Sequence, residues 1–225
     1  MENKINILVV DDHQLIIDGI ISSLSAFDAY QVSSTNNCDD ALRRIKQQMH
    51  SEPFDILFTD LSFDNTPQNA ELDGGESLIK AVKALEIDIK IGVISGHTET
   101  NRVYNVISNL QPDAYILKNH AGAEELDFAI KKMLQNERFY TYEIHQKILK
   151  RNIVQIQMDE VAVQILKELP KHPKISNLEG IITKESGGFL KLRSIENKLA
   201  NLRIDLNANN NTDLVLKAKE LGIID

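Results

Sequence analysis

Two periodicities alternate over the first 135 residues. Short apolar runs at 5–10, 31–35, 55–59, 90–94 and 114–117 are separated by stretches whose apolar residues recur every three or four positions. These are 13–27, with Ile16, Ile20 and Leu24 on one face, then 39–49, 76–85, 99–110 and 123–134. Ile7 to Val10 are consecutive apolar residues, the pattern of a strand buried on both faces. Five strand–helix units predict a doubly wound α/β domain, a parallel sheet covered on both sides. One segment breaks the rhythm: "LSFDNTPQNAELDGG", 61–75, reads as a long polar loop with Pro67 and the Gly74-Gly75 pair.

Beyond residue 134 a polar joint leads into "RFYTYEIHQKILKRNIVQIQ", which reads as a linker with a short helix in its middle. The remainder reads as all helical. Segment 159–169 places Val161, Ile165, Leu166 and Leu169 on one side, 176–184 carries Leu178, Ile181 and Ile182, and 194–204 carries Ile195, Leu199 and Leu202. A last helix, 211–221, ends against Gly222 as a C-cap. The expected division is a first domain over 1–135, a linker over 136–157 and a small helical domain over 158–225.

A chain of 225 residues, 42% hydrophobic and 26% charged, has the composition of a folded globular protein. No apolar run approaches membrane-spanning length, and acids cut short the N-terminal apolar stretch, so a cytoplasmic protein without membrane contact is expected. The single Cys38 has no internal disulfide partner and reads as a first-turn helix residue. The six His show no metal-ligand spacing with it, which removes zinc sites. Net charge is −8, and all of the excess acid lies in residues 1–156, where 23 Asp and Glu face 15 Lys and Arg. Residues 157–225 carry ten of each, so nucleic-acid binding is limited to local patches.

The chemistry gathers at strand ends. Asp11 and Asp12 follow the first strand directly, and two adjacent carboxylates there repel each other unless a positive charge sits between them. A helix N-cap accounts for one of them. In the flavodoxin-like strand order 2-1-3-4-5, ligands collect outside the carboxyl ends. Those ends carry Asp11 and Asp12, Asp60, Ser95 and Lys118. The three acids supply hard oxygen ligands for Mg²⁺, and a lysine and a hydroxyl suit the oxygens of a phosphoryl group. Asp60, on the central strand, is the natural acceptor. Singly, Asp60 also reads as a strand-end cap, Ser95 as a turn residue and Lys118 as a solvated lysine. No Gly-rich phosphate loop follows the first strand, which disfavours a nucleotide-binding enzyme.

The motifs "VVDDH", "FDILFTDL", "VISG" and "AYILK", in this order between about residues 3 and 134, resemble the receiver domains of two-component response regulators. The resemblance implies that Asp60 is the phosphoacceptor, that Asp11 and Asp12 are the acidic pair holding Mg²⁺ with Asp60 and the Ser62 backbone carbonyl, and that Lys118 is the conserved-type lysine. Ser95 becomes the switch hydroxyl and Tyr115 the switch aromatic. His13 is left as a capping or surface residue. A sensor histidine kinase is the implied partner, and the protein is a substrate of phosphotransfer rather than an enzyme. A free-standing Mg²⁺ phosphatase with an aspartyl intermediate usually has an Asp two residues after its nucleophile, where this chain has Ser62. The family's loop after the phosphoacceptor is usually shorter than 61–74.

Toward the C-terminus, "SIENKLANLRIDLNANNNTDLVLKAKELGII" resembles the end of a LuxR-type helix-turn-helix domain, as in NarL-type response regulators, and "ISNLEGII" resembles its scaffold helix. The resemblance implies phosphorylation-controlled transcription by a homodimer formed on activation. Its DNA-facing residues would be Arg193, Asn197, Lys198, Asn201 and Arg203. The chain departs from the pattern in the longer stretch between 177 and 194, with "ESGGFLKL", in the missing "LTxRE" start and in Glu196, where a Lys is common. A degenerate output domain that dimerises or binds protein without binding DNA is the alternative.

Overall fold

The computed structural model describes residues 4–64, 70–184 and 186–224, and the backbone alone over 153–157. The chain divides into two compact units, Met1–Thr98 with Asn105–Ile144, and Glu99–Tyr104 with His145–Asp225.

The first unit is built on the expected strands: β1 (Ile5–Val10), β2 (Tyr30–Thr35), β3 (Ile56–Thr59), β4 (Lys90–Ser95) and β5 (Ala114–Leu117). All pair in parallel in the order 2-1-3-4-5. A sixth strand, β6 (Phe139–Tyr140), extends the edge beside β5. The five-stranded expectation is corrected to six, because two residues are too few to show a period of two. Every residue of β3 and β5 is buried, as continuous apolar strands require when helices cover both faces.

Those helices are α1 (Gln14–Leu24), α2 (Cys38–Gln48), α3 (Gly75–Lys83), α4 (Thr100–Leu110) and α5 (Ala123–Leu134). Helix α5 buries Leu126, Ala129, Ile130 and Met133 in the cluster formed by Ile7, Val9, Phe58 and Ile116. Each of the larger side chains contributes about 1.5–3 kcal/mol by leaving water. Cys38 opens α2, as expected, behind the cap Asn37, whose side chain accepts from the Asp40 amide. Burial, followed by the nearby acids Asp39, Asp12, Asp73 and Asp60, pushes its thiol up to about 12.

The segment read as a linker holds β6 and a 16-residue helix, α6 (Tyr142–Gln157). In the second unit, α7 (Glu160–Glu168), α8 (Leu192–Asp205) and α9 (Asn211–Glu220) pack Ile165, Leu166, Ile195, Leu199, Leu202 and Leu214 into one core. The helix expected over 176–184 does not form. A 3₁₀ turn, Ile175–Leu178, ends as Glu179 turns extended (φ −65°, ψ 129°), and Thr183 then bridges antiparallel to Phe189. Leu178 and Ile182 are both buried while Ile181 remains 39% exposed, so the apolar spacing that suggests a helix is met by a turn and a hairpin. No helix among the described residues is long and apolar enough to cross a membrane.

Candidate functional site

Strand register brings the sequence-predicted residues to one edge. Val10 lies opposite Thr59, so Asp11 and Asp60 leave the sheet side by side, and the Asp60 amide still donates to the Val10 carbonyl at 3.0 Å. Ser95 lies opposite Leu117, which sets Lys118 one residue further out. Asp11 and Asp60 are only 2% and 6% exposed, and Ser95 is fully buried.

Lys118 joins the acids. Its Nζ lies 2.7 Å from Asp11 Oδ2 and 2.8 Å from Asp60 Oδ2. Burial pulls the ammonium's pKa down, but the hydrogen bonds to Asp11 and Asp60 and their charges outweigh it, leaving the pKa above its ordinary value. The other Asp60 oxygen, Oδ1, accepts from the Leu61 amide at 2.7 Å. Behind it, Gly75 is a close-approach glycine: a Cβ there would stand 1.7 Å from the Asp60 carbonyl oxygen. The start of α3 thereby seats Asp60, and the Thr59 hydroxyl donates to the same carbonyl at 2.8 Å.

Neither acid of the opening pair is the N-cap of α1. That position is His13, which has no side-chain cap bond, while its amide donates to Asp11 Oδ1 at 2.9 Å. His13 Nδ1 also stands 2.7 Å from Asp12 Oδ1 and 3.3 Å from Asp11 Oδ1. Ligand atoms of Asp11, Asp12 and His13 lie within 4.8 Å of one another, and Lys118 links Asp60 to this group. Two buried carboxylates, a third beside them and one ammonium leave the site formally negative, a donor set of hard oxygens that fits a small divalent cation.

Sequence reasoning missed two residues. His97, just past Ser95, has Nε2 2.8 Å from Ser62 Oγ, donates its amide to Ser95 Oγ at 3.4 Å, and accepts at its carbonyl from the Tyr115 hydroxyl at 3.1 Å. It ties the expected switch pair, Ser95 and the fully buried Tyr115, to the segment after Asp60. Asp39 accepts from the Glu71 and Leu72 amides, each at 3.0 Å, pinning the far end of the long loop. Its near end is held by the Asp64 amide on Asp12 Oδ2 at 2.9 Å. Residues 65–69, with Pro67, lie outside the described residues. The signal for Asp39 was its place in a first helical turn, which alone reads as dipole complementation.

Of the residues expected to face DNA, Arg193, Asn197 and Asn201 are exposed on α8. Lys198 pairs with Asp159, which holds that carboxyl below its ordinary range. Arg203 donates to Asn211 Oδ1 at 2.9 Å. Ile204, on the same helix, is 76% exposed.

Residues 7–131 match the response regulator receiver domain, and the chain belongs to that family. The response regulator VraR of Staphylococcus saprophyticus is 25% identical over 223 residues, which are 98% of this chain and 99% of the relative. A structure of the RcsB response regulator of Salmonella typhimurium superposes with a TM-score of 0.62 at 18% identity, covering 96% of this chain and 98% of that one. RcsB dimers bound to two parallel DNAs give 0.59 at 17% identity, covering 97% and 99%. The likeness in fold extends over nearly the whole chain, beyond the receiver domain.

Proposed function

We propose that the protein is a phosphorylation-switched transcription regulator, with Asp60 as its phosphoacceptor and α8 as its DNA-reading helix. The observation that carries the reading is Lys118 Nζ bridging Asp11 Oδ2 and Asp60 Oδ2 at the carboxyl ends of the strands. A sensor histidine kinase is the donor: the P–N bond of its phosphohistidine breaks as an Asp60 oxygen forms the new P–O bond. The Leu61 amide fixes Oδ1, Lys118 offsets charge on the phosphoryl oxygens, and Ser95 Oγ donates to one of them. Asp11, Asp12, Asp60 and the Ser62 carbonyl would hold Mg²⁺, which neutralises phosphoryl charge when bound. Rearrangement at Ser95 then reaches Tyr115 through His97. The division proposed is receiver 1–135, linker 136–157 and output 158–225, in a cytoplasmic protein that is a substrate rather than an enzyme.

For the output, a homodimer reads two half-sites, so each weak contact from Arg193, Asn197, Lys198, Asn201 and Arg203 counts twice. The DNA complex of RcsB, a protein of the same fold, supports this reading. The rival is a protein-binding output, favoured by the engagement of Lys198 and Arg203 and by exposed Ile204. The test is retention of genomic DNA fragments by the full chain with and without acetyl phosphate. Retention that rises with the donor in wild type but not in Asp60→Asn supports the regulator. Retention of no fragment in any state leaves the protein-binding output.

A further inference from the structure

The hairpin that replaces the expected scaffold helix has a built form. Lys184 N donates to the Gly188 carbonyl at 2.9 Å, Gly187 N to the Lys184 carbonyl at 3.0 Å, and Leu190 N to the Ile182 carbonyl at 2.8 Å. Gly187 and Gly188 sit at φ +85° and +82° with open space around them, so glycine serves the reversal of the chain and not a tight contact. Both feet are fixed. Thr183 donates its amide and its hydroxyl to Gln164 Oε1, each at 3.0 Å, while Leu192 N donates to Glu179 Oε1 at 3.3 Å. Ile182 is fully buried beneath the turn, yet Phe189, on the returning arm, is 58% exposed.

Cations also stand close in sequence to the start of α8, with Glu185 beside the first of them, Lys184. Along α8, Lys198 is engaged by Asp159 and Arg203 by Asn211, and Glu196 and Asp205 are exposed. Just ahead of the helix, Lys184 and Lys191 are exposed, and Arg193 is exposed in its first turn, in a chain whose net charge is −8. Lys191 is the N-cap residue of α8, and Phe189 precedes the helix by only three residues, at most about 11 Å of chain. A recognition helix presents its N-terminal residues to base edges in a groove roughly 12 Å wide, flanked by phosphates. Cations fixed immediately before that end meet those phosphates.

We infer that the two arms of the hairpin, 183–184 and 187–189, together with Lys191 form a second DNA-contacting element, in which Lys184 and Lys191 neutralise backbone phosphates and Phe189 packs its ring on the duplex beside α8. The inference rests on the DNA-binding reading of the output domain. Arms already held by hydrogen bonds lose little freedom on binding, which suits a domain in which two of the three cations of α8 are engaged by Asp159 and Asn211.

The test uses the full chain and a fluorescent mixed-sequence duplex, titrated by anisotropy across a sodium chloride series. Losing two phosphate contacts per protomer in Lys184→Ala/Lys191→Ala lowers the log–log salt slope by about 1.8 per bound protomer, at roughly 0.9 per phosphate. Phe189→Ala weakens binding several-fold and leaves the slope unchanged. Should circular dichroism show altered folding of the double variant, Lys184→Gln/Lys191→Gln repeats the measurement. A wild type that binds, is weakened by Arg193→Ala, and keeps its slope in the double variant overturns the hairpin and leaves α8 standing. A wild type that binds at no salt concentration overturns both.

Discussion

Replacing Lys118 by Met keeps most of the unbranched side chain but removes its ammonium and its charge, leaving Asp11 and Asp60 facing each other at 2% and 6% exposure. Breaking a buried ion pair from one side costs about 3–5 kcal/mol. Lys118 itself keeps 19% of its side-chain surface in water, which places the loss at the low end, about 3 kcal/mol. The ammonium's pKa is raised in the folded protein, so its stabilisation is complete below its unfolded value, includes all of neutral pH, and is lost only as pH rises through the folded value. Hydrogen exchange of the β1 and β3 amides, in metal-free buffer at neutral pH, reads this directly. Lys118→Met exchanges about two orders of magnitude faster, since each 1.4 kcal/mol is tenfold. Added Mg²⁺ slows exchange more in the variant than in wild type, because the same carboxylates gain a replacement cation. Acceleration below tenfold, or a variant indifferent to Mg²⁺, would refute the account of a charge-compensated site.

Gly75→Ala places a methyl 1.7 Å from the Asp60 carbonyl oxygen. We expect a loss of about 1–3 kcal/mol, seen as a lowered Tm, with slower phosphorylation because the seat of Asp60 moves. Asp39→Ala deprives the Glu71 and Leu72 amides of their acceptor. Those two amides should exchange faster by about 1–2 kcal/mol, while amides of the central strand β3 keep their protection; equal acceleration in β3 would show that Asp39 supports the whole domain rather than the loop.

The receiver was legible because its signals are local and mutually consistent. Apolar runs mark the strands, and parallel register carries Asp11, Asp60, Ser95 and Lys118 to one edge wherever strand order is 2-1-3-4-5. His97 and Asp39 were not legible. Each acts across space, on Ser62 and Tyr115 and on the loop amides, and neither contact has a periodic trace. The second unit was read less well where backbone choice depends on tertiary burial. Leu178 and Ile182 satisfy helical spacing and the observed turn alike, and the Gly187-Gly188 reversal makes the hairpin possible. Lys198 and Arg203 read as DNA-facing cations because their partners, Asp159 and Asn211, come from other elements.

The central claim is that Asp60 alone accepts the phosphoryl group and that acidic ligands for Mg²⁺ are needed for it. The most direct measurement incubates the full chain with acetyl phosphate, with Mg²⁺ or with chelator, and resolves it on a phosphate-affinity gel. Wild type with Mg²⁺ gives a retarded band, whereas wild type with chelator and Asp60→Asn with Mg²⁺ give none. A retarded band of equal intensity in Asp60→Asn, or in wild type under chelator, would contradict the account.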